Sequence, residues 1–424
     1  MALKAVHVSR VPNLYQVPED AALALSSSST FSTGDDSVMT PFKPQKFMVI
    51  GHRGSGMNML NSTDVRLKAI KENSILSFNE AGKSGVDFVE FDVQVGNGVS
   101  PPLDFLCFWC CICRGVRRLA GKSGVDFVEF DVQVTRDGCA IIFHDNFILA
   151  EEDGCILEKR VTELSLEEFL CYGPQREAGK EGKSLVRKAK DGRIYSWKVE
   201  QDDSHCTLQE AFEKVDQSLG FNIELKFDDN INYQDEDLVH IIQVILQVVF
   251  EHAKDRPIIF SSFQPDAARL VRKLQTIYPV FFLTNGGSEV YVDVRRNSLD
   301  EAMKLCSANG LQGIVSEVRA IFRNLGAIPR IKEANLSLLT YGQLNNVPEA
   351  VYMQHLMGVE GVIVDLAKEI AGAVSDFVKP VKEEELDYLD GLKEELQMQQ
   401  NTQPIFSQRK LSYLLKLIPE LIKV

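Results

Sequence analysis

The amino-acid sequence predicts an α/β protein whose main domain is a single (β/α)8 barrel of the TIM type, and two observations carry that expectation. From Phe47 onward, short apolar runs rich in Val, Ile and Phe alternate with helical patterns, which marks parallel βα units. Eight such runs can be counted, and polar residues gather at the C-terminal ends of several: His52 and Arg53, Glu129 and Asp131, Glu224 and Lys226, Ser262, Asn285, Glu317 and Asp365. In a barrel those ends form the catalytic rim. The same alternation also suits an open doubly wound sheet, which is the competing arrangement.

In chain order the strands are expected at Phe47–Arg53, Phe127–Val134, Phe221–Phe227, Pro257–Phe263, Val280–Asn285, Gly313–Glu317, Leu336–Gly342 and Gly361–Asp365. Helices between them open at signals such as Thr207-Leu-Gln-Glu210 and Ser298-Leu-Asp-Glu301. In both, a hydroxyl and a carboxylate three residues apart can each satisfy a backbone donor at the helix start. A closing helix follows Asp365 and runs to about residue 379.

The second strand carries a complication. Residues 81–95, AGKSGVDFVEFDVQV, recur letter for letter as residues 120–134. Two copies are too few for a solenoid, and only one can supply the strand. The second copy runs into Thr135-Arg-Asp-Gly138 and then Cys139 to His144, and Asp-Gly between apolar runs predicts a hairpin. Such a hairpin sets His144 beside Glu129 and Asp131, which favours the second copy and leaves the first looped out or packed irregularly. The first copy has a rival claim because it follows directly from a helix at Ser74–Ala81. The insert at 96–119 is apolar and Cys-rich but too short to span a bilayer.

Residues 1–45 precede any strand signal and are Ser/Thr-rich from Ser26 to Thr33, but they also hold Glu19, Asp20, Asp35 and Asp36. They read as a disordered segment or an organellar transit peptide. The barrel is expected over 46–379 and a helical or disordered tail over 380–424. A net charge of −14 speaks against a nucleic-acid partner, whose phosphates call for clustered Lys and Arg. No apolar run approaches the roughly 18 residues of a membrane span, so no transmembrane segment is expected. The nine cysteines have no framework spacing.

Four constellations carry chemistry. Gly51-His52-Arg53-Gly54 puts an imidazole suited to proton transfer near neutral pH beside a guanidinium suited to gripping phosphate. Glu129-Phe-Asp131 places two carboxylates on one face of a strand, a costly pair unless a cation such as Mg2+ or Ca2+ lies between them. Glu224-Leu-Lys226 adds a third carboxylate and a second cation, with a plain Glu–Lys ion pair as the bland alternative. His144-Asp145 supplies a second acid/base. If the first repeat copy forms the strand, Glu90 and Asp92 replace Glu129 and Asp131 as ligands.

GHRG (51–54), Glu72-Asn73-Ser74 followed by SILSFNEAG, GVDFVEFDVQVTRDG with IIFHD (124–145), and FNIELKF (221–227) together resemble the glycerophosphodiester phosphodiesterase family, most closely its plant, plastid-associated type. The resemblance implies a barrel of the phospholipase C-like phosphodiesterase kind. It implies a catalytic pair His52 and His144, phosphate binding by Arg53 and Lys226, and a divalent cation, Mg2+ or Ca2+, held by Glu129, Asp131 and Glu224. The implied substrate is a small glycerophosphodiester, hydrolysed to sn-glycerol 3-phosphate and an alcohol in phospholipid turnover and phosphate homeostasis, in the chloroplast or alternatively the cytoplasm. Action on larger lipids as a lysophospholipase D, or an isoform silenced by the duplication, are the other expectations. Ser74 stands where the family has Thr, and Leu339-Thr340-Tyr341-Gly342 departs from its seventh-strand signature.

Overall fold

The computed structural model describes residues 42–44, 46–83, 88–94, 126–189 and 191–378, with backbone alone for 88–94, 126–130, 132, 377 and 378. The segments read as an N-terminal leader, the Cys-rich insert and the C-terminal tail lie outside the described residues, apart from the leader's last few.

Seven parallel strands form a curled sheet: β1 (Met48–His52), β9 (Leu219–Lys226), β10 (Ile258–Ser262), β11 (Val280–Thr284), β12 (Gly313–Glu317), β13 (Ser337–Tyr341) and β14 (Gly361–Val364). β14 returns beside β1 in the register Met48↔Gly361 to Gly51↔Val364. Each strand is apolar on both faces, as a parallel sheet covered by helices requires. The alternation sorts the side chains by period two. Met48, Ile50, Ile259, Phe281, Leu283, Val315, Leu339 and Ile363 pack together as an inner core. Val49, Phe260, Phe282 and Ile314 turn the other way, into a larger core shared with helices such as Asp235–His252. All eight expected strands are present, each within about two residues of the expected ends.

Both repeat copies are strands. β2 (Phe88–Gln94) pairs with β1 through His52↔Glu90 and with β9 through Glu90↔Asn222 and Asp92↔Glu224. β3 (Asp126–Val134) pairs with β9 in the equivalent register, Glu129↔Asn222 and Asp131↔Glu224. The expectation that the first copy is looped out is therefore corrected. The other edge of β9 is taken by β10, so β9 offers one place to both copies, and identical sequence brings identical register. The two copies also pair with each other, through Phe88↔Phe127 and Val89↔Val128. Only the second continues into the expected hairpin, pairing with β4 (Ala140–Ile142) through Val132↔Ile142.

The sequence reading missed a second, antiparallel sheet between β4 and β9. Its order is β6-β5-β7-β8, from β5 (Phe147–Glu152), β6 (Cys155–Arg160), β7 (Ser184–Lys188) and β8 (Ile194–Ser196). Asp153 and Gly154 turn the β5–β6 hairpin with positive φ at both positions, the geometry that a two-residue loop favours. This satellite sheet has its own core, with Phe143, Ile148, Phe169, Leu185 and Trp197 buried together.

Of the two expected capping boxes, Thr207–Glu210 is reciprocal. At the second, the Ser298 hydroxyl accepts from Glu301 N, while the Glu301 carboxylate takes Lys304 Nζ at 2.6 Å instead.

Candidate active site

β1 ends in a sharp turn that the backbone marks out. Arg53 is left-handed at φ 51°, and Gly56 has φ 124°. A Cβ on Gly56 would lie 2.0 Å from the Asp365 carbonyl oxygen, so only glycine lets the turn pass the end of β14 this closely. The passage brings His52 Nδ1 to 2.6 Å from Asp365 Oδ1. Asp365 also accepts from Met57 N at 3.2 Å and Asn346 Nδ2 at 2.9 Å. Burial pushes this carboxyl up, but His52 and the other donors outweigh burial and hold it at about 2. An ionised acceptor at Nδ1 fixes that nitrogen as the donor and leaves Nε2 as the basic atom of the neutral ring.

The second imidazole comes from the β3–β4 hairpin. Thr135 N and Gly138 N close the turn on Cys139 O and Thr135 O, and Phe143 N donates to Asp131 O at 2.8 Å. His144 follows, its Nδ1 2.6 Å from Asp145 Oδ1. Burial would raise the Asp145 carboxyl, yet Arg187 and then His144 hold it far below the usual carboxylate range. Both histidines thus carry a carboxylate on Nδ1. The sequence reading placed Asp365 on the rim and Asp145 beside His144 but gave neither a role.

Behind them lies Glu72, 2% exposed and held at about 2 because Arg187 and Arg53 together outweigh burial. It accepts from Arg53 Nη1 at 2.8 Å, Arg187 Nη1 at 3.0 Å and Asn58 N. Asn73, left-handed at φ 54°, donates Nδ2 to Asp131 Oδ2. Asp131 is fully buried and its Oδ1 has no hydrogen-bond partner among the described residues.

Glu224 and Lys226 project from the end of β9, with Lys226 Nζ 2.6 Å from Glu224 Oε1, so the ion pair held as the bland alternative does form. A cleft of about 350 Å³ opens above them, lined also by His144, Asp145, Asp229, Phe263, Asn285 and Tyr291. Three expected site residues, His144, Glu224 and Lys226, therefore face one cavity. Arg53 is 4% exposed and turned onto Glu72, while His52 and Asp131 lie outside the cleft lining. Glu129 is placed by its backbone alone, two residues before Asp131 on β3. Among the described residues no three His, Cys, Asp or Glu side chains converge as a metal site.

Other rim residues have structural work. Ser262 Oγ donates to Leu225 O at 2.8 Å, and Glu317 caps the helix Val318–Arg323. Asn285 meets the Tyr341 hydroxyl at the cleft wall.

Residues 52–97 and 118–369 match the model of the glycerophosphoryl diester phosphodiesterase family. The chain is 54% identical over 424 residues to glycerophosphodiester phosphodiesterase GDPD1, chloroplastic, of Arabidopsis thaliana, covering all of both chains. It is 54% identical over 361 residues to glycerophosphodiester phosphodiesterase GDPD3 of the same plant, covering 84% of this chain and 87% of that one. A solved chain from Silicibacter pomeroyi, with a provisional glycerophosphoryl diester phosphodiesterase name, shares the fold: TM-score 0.53 at 18% identity, over 79% of this chain and 95% of that one. With full-length relatives at this identity and a family match on both sides of the insert, the chain belongs to the glycerophosphodiester phosphodiesterase family and is an enzyme of that activity.

Proposed function

We propose that this chain hydrolyses glycerophosphodiesters to sn-glycerol 3-phosphate and an alcohol by metal-assisted acid–base catalysis on the rim of a closed (β/α)8 barrel. The pairing of the first repeat copy with both β1 and β9 supports closure, since either copy in that position makes an eighth strand.

The observation that carries the mechanism is the pair of histidine–carboxylate couples, His52–Asp365 and His144–Asp145, each 2.6 Å apart. One imidazole takes the proton from the attacking hydroxyl and the other delivers a proton to the leaving alcohol oxygen. Lys226, on the cleft wall, balances charge gathering on the phosphoryl oxygens, and Arg53, backed by Glu72, is the second phosphate-binding cation.

A divalent cation, Mg2+ or Ca2+, would be held by Glu224, Asp131 and Glu129, with Glu90 and Asp92 in place of Glu129 and Asp131 when the first copy supplies the strand. The buried Asp131 Oδ1, which has no hydrogen-bond partner among the described residues, is the kind of oxygen a hard cation takes. When bound, the ion supplies Lewis acidity toward a phosphoryl oxygen and a neighbouring hydroxyl. The chloroplast is the proposed location, in agreement with the name of the GDPD1 relative. Phospholipid turnover and phosphate supply are the proposed setting.

The test is release of sn-glycerol 3-phosphate from glycerophosphocholine by the purified chain with Mg2+, with Ca2+ and with EDTA. Metal-restored turnover that EDTA abolishes is expected. Undiminished turnover in EDTA removes the metal from the mechanism.

A further inference from the structure

We propose that Arg187, contributed by the satellite sheet, is a positioning residue for the proton-transfer machinery. It lies on β7, outside the parallel sheet that carries Glu224 and Lys226. Its guanidinium forks between two carboxylates distant in sequence. Nη2 donates to Asp145 Oδ1 at 2.9 Å, and Nη1 donates to Glu72 Oε1 at 3.0 Å. Asp145 Oδ1 is the same oxygen that meets His144 Nδ1, and Glu72 Oε1 is the same oxygen that receives Arg53 Nη1. One planar group thus fixes the acceptor behind the His144 imidazole and the acceptor on which Arg53 rests.

The fork is itself held in place. Its carbon lies 4.3 Å from the Trp197 ring centroid, and Trp197 Nε1 donates to Asn58 Oδ1 at 3.1 Å. Asn58 N in turn donates to Glu72 Oε2, which closes a ring of contacts from the satellite sheet to the turn after β1. The Arg187 side chain is only 15% exposed. Asp145, at 27%, would be able to rotate away from His144 without its second donor. A lysine presents its donors from one nitrogen on a flexible stem and lacks the planar fork whose two nitrogens reach the two carboxylates separately.

The inference rests on the assignment of His144 to proton transfer. The experiment therefore measures kcat and KM on glycerophosphocholine, with unfolding midpoints, for Arg187→Gln, Arg187→Lys, Asp145→Asn, the Arg187→Gln/Asp145→Asn double variant and His144→Ala. Arg187→Gln is expected to lower kcat about tenfold with KM within twofold, as loss of a group that orients a catalytic side chain does. Arg187→Lys should recover only part of that loss, and the double variant should be no slower than its slower parent, because both changes release the same carboxylate. Wild-type kcat in Arg187→Gln or Arg187→Lys overturns the proposal. So does multiplicative loss in the double variant, or a parallel fall of kcat, KM quality and unfolding midpoint. Should Arg187→Gln fail to fold, the Arg187→Lys kcat and its midpoint decide alone. Near-wild-type turnover in His144→Ala overturns the assignment of His144 instead, which separates the two failures.

Discussion

Asp365 Oδ1 lies 2.6 Å from Nδ1 of His52, although 313 residues of chain separate them. The contact crosses the seam where β14 returns beside β1, so the ends of the first and last strands of the sheet share one histidine–carboxylate couple. Asp365→Asn keeps the shape but loses the charge that sets the imidazole's tautomer. Its kcat is expected to fall roughly 10–100-fold, and that of His52→Ala by about 100-fold or more. Steady-state kinetics on glycerophosphocholine check this, and unchanged kcat in both variants would place the acid/base elsewhere.

Gly56 is the hinge of that seam. Gly56→Ala combines a side chain at φ 124° with a Cβ 2.0 Å from the Asp365 carbonyl oxygen. The turn must shift, so both kcat and the unfolding midpoint are expected to drop. A variant with wild-type values of both would show that the close approach is dispensable.

The repeat makes a sharper prediction. Glu90 and Glu129 both register on Asn222, and Asp92 and Asp131 both register on Glu224, so the two copies set equivalent positions at the same point along β9. Glu90→Gln and Glu129→Gln are each expected to retain turnover within about tenfold, whereas the double variant should lose about 100-fold or more. A chain lacking 81–119 should remain active. Collapse in one single variant with none in the other would assign the position to one copy outright.

Lys71 offers a test through pH. Burial brings its ammonium down from 10.5 to about 7, and its Nζ lies 3.4 Å from the Trp197 ring centroid. Between those two values the unfolded chain binds more protons at this group than the folded chain, so stability rises with pH. The penalty is full below about 7 and gone above about 10.5. Thermal unfolding of Lys71→Met should therefore lie a few degrees above wild type at pH 6, and the gap should narrow by pH 9. An equal gap at both pH values would mean that Lys71 is not charged at the cost of folding.

The parallel strands were legible because a strand buried on both faces leaves an uninterrupted apolar run, as in FNIELKF and VFFLT. The satellite sheet was not: β6, CILEKR, is almost wholly exposed, so no alternation marks it. The same gap hid Arg187, an isolated arginine in a segment with no motif. His52, His144 and the rim carboxylates showed in the sequence because their polar side chains interrupt apolar strands. Their partners did not, since Asp365 meets His52 only when the sheet curls, and Glu72 becomes a hub only when Arg53, Asn58 and Arg187 converge on it. The choice between repeat copies could not be read from two identical strings, and the shared register explains why.

The seam also sets a clock on the newborn protein. A ribosome adds roughly 5–20 residues each second, so some 15–60 seconds pass between synthesis of His52 and arrival of its carboxylate. Through that interval β1 has no β14 beside it, and its backbone edge stays open to whatever strand is nearest. The emerging chain holds two identical candidates for one of its edges long before the native partner for the other exists. A chain cut short upstream of Asp365 would lack both the carboxylate that meets His52 and the backbone that Gly56 passes so closely.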